Sequence, residues 1–128
     1  MNKERDTSTK VPELIIYDKH YRMQTYDKCS KVTIRFDGVR VARLDMLEVS
    51  IAIHLLTRCF ETMKRRSVCC YPPIQLRFWG NGDVTIYKNS HSIITLESVD
   101  DVIALHDMLS YILSKMIVRR RRLEHTEI

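Results

Sequence analysis

Basic and aromatic side chains alternate with apolar ones in several short stretches of the sequence. In residues 31–36, KVTIRF, lysine, threonine and arginine alternate with valine, isoleucine and phenylalanine. Successive side chains of a β-strand point to opposite faces, so this pattern predicts one apolar face and one face that carries cations and polar groups. Aromatic rings can stack on nucleobases and cations can neutralise phosphates, which is the chemistry needed to hold a single nucleic-acid strand.

Twelve residues are candidates for nucleic-acid contacts. Eight are strand or turn residues on the predicted outward face, which we expect to form one open sheet surface, and four are consecutive arginines near the end of the sequence. They are Arg22, Tyr26, Lys28, Arg35, Arg40, Arg77, Trp79, Tyr87, Arg119, Arg120, Arg121 and Arg122. A sheet with one solvated face has a similar composition without any ligand, and cations at a helix end complement its dipole. The four arginines also suit a phosphate-binding tail or a nuclear localisation signal, so these interpretations stay open.

Strand patterns precede each of two predicted helices. The turn Asp37-Gly38 joins the clearest hairpin, because glycine adopts positive φ without steric cost. The predicted strands cover 14–18, 21–28 and the hairpin 31–44 in the first half, and 74–96 in the second half, with 67–71 (SVCCY) as the candidate first strand there. The predicted fold is therefore α+β, with antiparallel sheet or sheets and two helices in the order ββββα-(β)βββα.

The two helices are predicted over 46–65 and 99–119. Asp45 and Ser98 are their N-caps, and Glu48 completes an acidic variant of the capping box with Asp45. The first helix is apolar around most of its circumference, which predicts burial on more than one side. A second subunit could provide part of that cover, so we expect a homodimer.

The helices contain a similar sequence, SIAIHLL at 50–56 and VIALHDM at 102–108. Ile51, Ala52 and His54 each recur 52 residues further along the chain. Around this match, however, only four of 21 aligned positions are identical. Duplication of one ββββα unit and coincidence between two helices therefore both remain open.

The 128 residues carry a formal net charge of +5, which mildly favours anionic partners. The length suits one domain. We expect a polar, disordered arm at 1–12, a single α+β domain at 13–118 made of two similar halves (about 14–66 and 67–118), and a basic tail at 119–128.

Several classes of protein and site are disfavoured by the sequence. The charged first ten residues do not resemble a secretory signal, and no apolar run approaches the roughly 20 residues that span a bilayer. We therefore expect an intracellular protein, in the cytoplasm or nucleus, that has no membrane partner. The four cysteines lack a CxxC spacing, which predicts reduced thiols and no metal site. Walker, GxGxxG and GxSxG motifs are absent, so we expect no cofactor and no catalytic residues.

The order of elements and the basic, aromatic outward face over 14–117 resemble the PUR-repeat and whirly families. The resemblance implies curved sheets that bind single-stranded DNA or RNA, and intimate pairing of the PUR-type repeats. It rests on architecture, because the basic motif of the plant whirly proteins is not recognisable and the strands are shorter. No site residue is therefore transferred from either family.

Three classes of function are consistent with the sequence. The first is a non-catalytic protein that binds single-stranded DNA or RNA through the sheet face and the arginine-rich tail. The second is a protein-interaction module, such as a small viral or accessory factor that docks on a larger complex. The third is a small nuclease or hydrolase, although no cluster of acids or His/acid pair is evident.

Overall fold

The computed structural model describes residues 13–18, 20–62, 68–79 and 82–127, so the arm predicted at 1–12 lies outside the described residues. The first sheet consists of β1 (Ile15–Asp18), β2 (Tyr21–Tyr26), β3 (Lys31–Phe36) and β4 (Val39–Asp45), followed by α1 (Met46–Thr62). The second sheet consists of β5 (Val68–Tyr71), β6 (Ile74–Phe78), β7 (Val84–Lys88) and β8 (His91–Leu96), followed by α2 (Val99–Glu127). Both sheets are antiparallel with their strands in sequence order, which confirms the predicted α+β class and includes the candidate strand in SVCCY.

Local signals correctly predicted the Asp37-Gly38 turn and the starts of both helices. Asp37 (φ 50°) and Gly38 (φ 85°) form the two-residue turn between β3 and β4. The backbone N–H of Asp45 donates to Glu48 Oε1 at 2.9 Å, and the Glu48 N–H donates to Asp45 Oδ1 at 2.7 Å, so the capping box is reciprocal. Ser98 Oγ accepts a bond of 3.2 Å from the N–H of the third residue of α2.

The second helix is longer than predicted, because it continues past Arg119 to Glu127. Arginine, leucine and glutamate are good helix formers, and neither glycine nor proline interrupts this segment. The four arginines 119–122 therefore lie on a helix.

The two halves share one irregularity as well as their topology. A β-bulge interrupts the pairing of β3 with β4 between Ile34 and Arg35. The same interruption occurs in the pairing of β7 with β8 between Ile86 and Tyr87, 52 residues later. The hairpins that precede the two helices are therefore structurally equivalent.

The two helices are not related by the spacing of 52 residues that relates the two bulges. Val49 of α1 and Val102 of α2 are the first fully buried residues of their helices, and they are 53 positions apart. The additional residue is Glu97, which separates β8 from the cap of α2. His54 and His106, which match in the sequence at a spacing of 52, therefore do not occupy equivalent positions.

Both helices and both sheets enclose one apolar core. α1 lies against β4, β5, β6 and α2, while α2 also lies against β1 and β8, so each helix covers part of the sheet of the other half. Val49, Leu55 and Leu56 of α1 are at most 3% exposed, whereas Leu47 is 68% exposed. Over the side chains of α1 that the structure describes, the apolar circumference is largely covered within the chain and gives no separate support for a homodimer.

The alternation identified the core-facing strand residues, but the expectation of one open sheet surface was wrong. Alternation places nine strand residues on the core-facing side, of which Phe36 and Val41 are half-buried and the other seven are buried. The buried positions are Val32, Ile34, Ile74, Leu76, Phe78, Val84 and Ile86. The outward residues are divided between two sheets, because β4 and β8 are outermost strands of separate sheets and do not pair.

Candidate nucleic-acid interface

Three arginines lie side by side across the first sheet. Cα pairing places Tyr17 opposite Arg22, Arg22 opposite Arg35, and Arg35 opposite Arg40. These four residues, one from each strand, are called the arginine row here. The fold thus brings together three of the predicted residues and adds Tyr17, which is 71% exposed and was not among the predicted contacts.

Within the part of the chain that the structure describes, no acidic side chain pairs with the cations of the arginine row. None of the ion pairs found among the described residues involves Arg22, Arg35 or Arg40. Arg22 Nη2 donates to Gln24 Oε1 at 3.2 Å and its Cζ lies 5.8 Å from the Tyr17 ring centroid. The Nε of Arg22 is buried and has no hydrogen-bond partner among the described residues. Like charges directly opposite each other destabilise a sheet, so this row costs folding free energy.

The equivalent row of the second sheet is uncharged. Pairing and the position of the bulge align the arginine row with Cys70, Gln75, Tyr87 and Ser92. The same scaffold therefore forms with neutral side chains at all of these positions, and the arginines are not required by the fold. The predicted residue Tyr87 is half-buried in this second row.

Trp79 lies across the outer face of the second sheet. Its Nε1 donates to Thr85 Oγ1 at 2.9 Å, and Arg77 Cζ lies 5.2 Å from the ring centroid. The indole is 42% exposed, whereas Thr85 beneath it is 5% exposed and bonds Thr95 Oγ1 at 3.0 Å. Thr85 lies on the outward side of β7, but the indole covers it. One predicted cation and one predicted ring form a preorganised pair that a base could stack on.

The other predicted residues lie outside these two rows. Tyr26 is half-buried at the end of β2, opposite Lys31. Lys28 is exposed in the turn between β2 and β3 and has a φ of 56°. On α2, two of the four arginines at 119–122 are half-buried and two are exposed. These four are positioned by a helix and not by either sheet face.

Arg43 is an outward cation that was not among the predicted contacts. Val41 is half-buried, so a regular strand would turn Arg43 inward as well. The bulge leaves Val41 without a Cα partner, because Ala42 pairs with Ile34 and Arg40 with Arg35. Arg43 therefore lies on the exposed side. The bulge is the physical reason why Arg43 was not predicted, and no residue pattern in this hairpin indicates the bulge.

Neither described helix combines the length and the hydropathy that crossing a membrane requires. Within the same described residues, no group of three His, Cys, Asp or Glu side chains is placed to hold a metal ion. Comparison of the sequence and the structure with family models, with curated proteins and with solved structures gave no match.

Proposed function

We propose that this protein binds single-stranded DNA or RNA and does not catalyse a reaction on it. The arginine row holds phosphates, while Trp79 and Tyr87 offer rings to the bases. Such a partner places the protein in the cytoplasm or nucleus. The arginine row is the observation that carries the proposal. It concentrates three cations, none of them in an ion pair found among the described residues, at positions that are neutral in the equivalent half of the same fold.

The salt dependence of binding follows from this arrangement. Each cation that neutralises a phosphate of a single strand contributes about 0.7 to the slope of log affinity against log salt concentration. Three arginines in the row therefore predict a slope of about −2 or steeper, since other cations add to it.

The test is a fluorescence-anisotropy titration with a labelled single strand of about 12 nucleotides, within the range that single-strand-binding modules occupy. Arg35→Gln should weaken binding and reduce the magnitude of the salt slope by about 0.7. Lys115→Gln is the matched control, because Lys115 lies on α2 and contacts the Tyr111 ring at 5.4 Å. Equal losses in both variants would indicate a general charge effect and would contradict a role for the arginine row.

A protein-interaction module that pairs with a second copy is the second candidate. It is favoured by exposed apolar side chains along α2, namely Val99 (47%), Ile103 (41%), Tyr111 (53%) and Val118 (44%). Asp107 and Lys115 lie four residues on either side of Tyr111. Two antiparallel copies of α2 that cross at Tyr111 would therefore place opposite charges face to face.

Light scattering tests this second candidate directly. A mass above the 15.2 kDa of one chain, returning to 15.2 kDa in the double variant Tyr111→Ser and Val118→Ser, would support it. A wild-type protein that stays at 15.2 kDa at about 50 μM would exclude it as a stable dimer at that concentration.

A further inference from the structure

A groove separates the outermost strands of the two sheets. β4 and β8 lie close together without pairing, and the space between them has a volume of about 340 Å³. This seam groove is lined by Arg40, Val41, Ala42, Arg43, Lys88, His91, Ser92 and Ile93. Its size falls at the lower end of the roughly 300–1,000 Å³ typical of ligand pockets, enough for a phosphate and its attached sugar.

The two β-bulges explain why the sheets remain separate at this seam. The bulge in β4 leaves Val41 without a Cα partner, and the bulge in β8 leaves Ile93 without one. Both residues are half-buried, and both line the small apolar cavity of the core as well as the groove. A bulge bends its strand and increases the local twist, which keeps two edges from joining into one sheet. The groove is thus built by the fold.

The charge of the groove is positive and partly uncompensated. Lys88 Nζ donates to the Arg43 carbonyl oxygen at 2.7 Å and pairs with the Glu48 carboxylate at 3.2 Å. The position of the Lys88 ammonium group is therefore fixed, and its charge is paired with a carboxylate. Arg40 and Arg43 are exposed, and no ion pair found among the described residues involves either guanidinium. Guanidinium groups in such a setting suit the oxygens of a phosphate, which they can bind in a bidentate manner.

The scaffold does not need these two cations. Counted from the bulge, the equivalents of Arg40 and Arg43 in the second half are Ser92 and Thr95, which are uncharged. The positive charge of the groove therefore arises from the residues of one half and not from the repeated architecture.

The groove also connects the two outer faces. Arg40 ends the arginine row of the first sheet and lines one wall of the groove. Ser92 lines the opposite wall and ends the row that contains Tyr87. A chain of phosphates that follows the arginine row would reach the second sheet through this groove.

We propose that the seam groove binds a phosphate group through Arg43, with His91 and Ser92 on the facing wall. This proposal rests on the proposed function, because the phosphate belongs to the backbone of the single strand. The strand crosses here from the arginine row to the face that carries Tyr87 and Trp79. The alternative source of the same chemistry is a free phosphate or a mononucleotide.

Arg43→Gln tests the groove, because Arg43 lies outside the arginine row whereas Arg40 belongs to both. With a single strand of about 12 nucleotides, Arg43→Gln should lower affinity about tenfold and reduce the magnitude of the salt slope by about 0.7. Lys115→Gln should change neither affinity nor slope appreciably. Far-UV circular dichroism checks that the variants keep the fold, and His91→Gln provides a second probe of the facing wall.

A second arm uses inorganic phosphate and a 5′-mononucleotide, followed by the NMR signals of the His91 ring. If the oligonucleotide binds and Arg43→Gln leaves its affinity unchanged, the crossing is refuted and the proposed function is not. If no oligonucleotide binds but phosphate shifts the His91 signals saturably and Arg43→Gln abolishes the shift, the groove is a free-phosphate site and the crossing is refuted. If neither ligand binds, the groove proposal is refuted together with the proposed function.

Discussion

Replacing the central cation of the arginine row should stabilise the fold while it weakens binding. Arg35 has Arg22 opposite it on one side and Arg40 on the other, with no acidic partner among the described residues. A like-charge pair at opposite positions costs roughly 0.2–1 kcal/mol, so Arg35→Gln relieves two such pairs. Shortening the half-buried side chain loses some packing of its stem. We expect a net gain in the free energy of unfolding of about 0.5–1 kcal/mol at low salt.

Urea denaturation at two ionic strengths measures this gain. With an m-value of about 2 kcal/mol/M, the midpoint of Arg35→Gln should rise by about 0.25–0.5 M at low salt. The difference should largely vanish near 1 M salt, where the screening length falls to about 3 Å. Arg35→Lys is the matched control, because it keeps the charge and most of the stem, and its midpoint should stay near or below that of the wild type. A destabilised Arg35→Gln, or a gain that persists unchanged at 1 M salt, would refute the electrostatic reasoning.

Three further changes have defined outcomes. Trp79→Ala should cost about 1–3 kcal/mol of oligonucleotide binding free energy at an unchanged salt slope, and Trp79→Phe should retain part of that binding free energy. Equal affinities for the wild type and both variants would exclude stacking. Asp45→Ala should lower the free energy of unfolding by about 1 kcal/mol, whereas Asp45→Asn should be close to wild type in urea melts; a loss of equal size in both would contradict the capping role. Burial, reinforced by the carboxylates of Asp101 and Asp18, raises the pKa of Tyr21 far above its usual range. The neutral phenol is therefore favoured in the folded state, so its stabilising contribution is full below about pH 10 and declines above it. Tyr21→Phe should remove that decline in melts taken from about pH 8 to 11, and parallel curves for both proteins would exclude the effect.

Features determined by neighbouring residues were predictable from the sequence. Asp37-Gly38 forms a tight turn and Asp45 caps α1, because each depends on the conformations and hydrogen bonds of residues at most three positions apart. Alternation also gave the correct face for Arg22 and Arg35. These predictions needed no knowledge of which strands pair.

Features that depend on pairing were not predictable from one strand at a time. The bulge places Arg43 on the outer face of the sheet instead of the inner face. The division into two sheets separates Arg35 from Trp79. The arginine row, with one residue from each strand, exists only through the register of four strands. The seam groove likewise requires both bulges, which lie in different halves of the chain. Periodicity reports which face a residue occupies, but it carries no information about which strand lies beside it.

The central claim is that the outer faces hold a single nucleic-acid strand. Its most direct test is an anisotropy titration of the wild-type protein with matched single- and double-stranded oligonucleotides at about 50 mM and 200 mM salt. We predict tighter binding of the single strand and a log–log salt slope of about −2 or steeper. No binding of the single strand at about 50 mM salt, or equal affinity for the duplex, would contradict the claim.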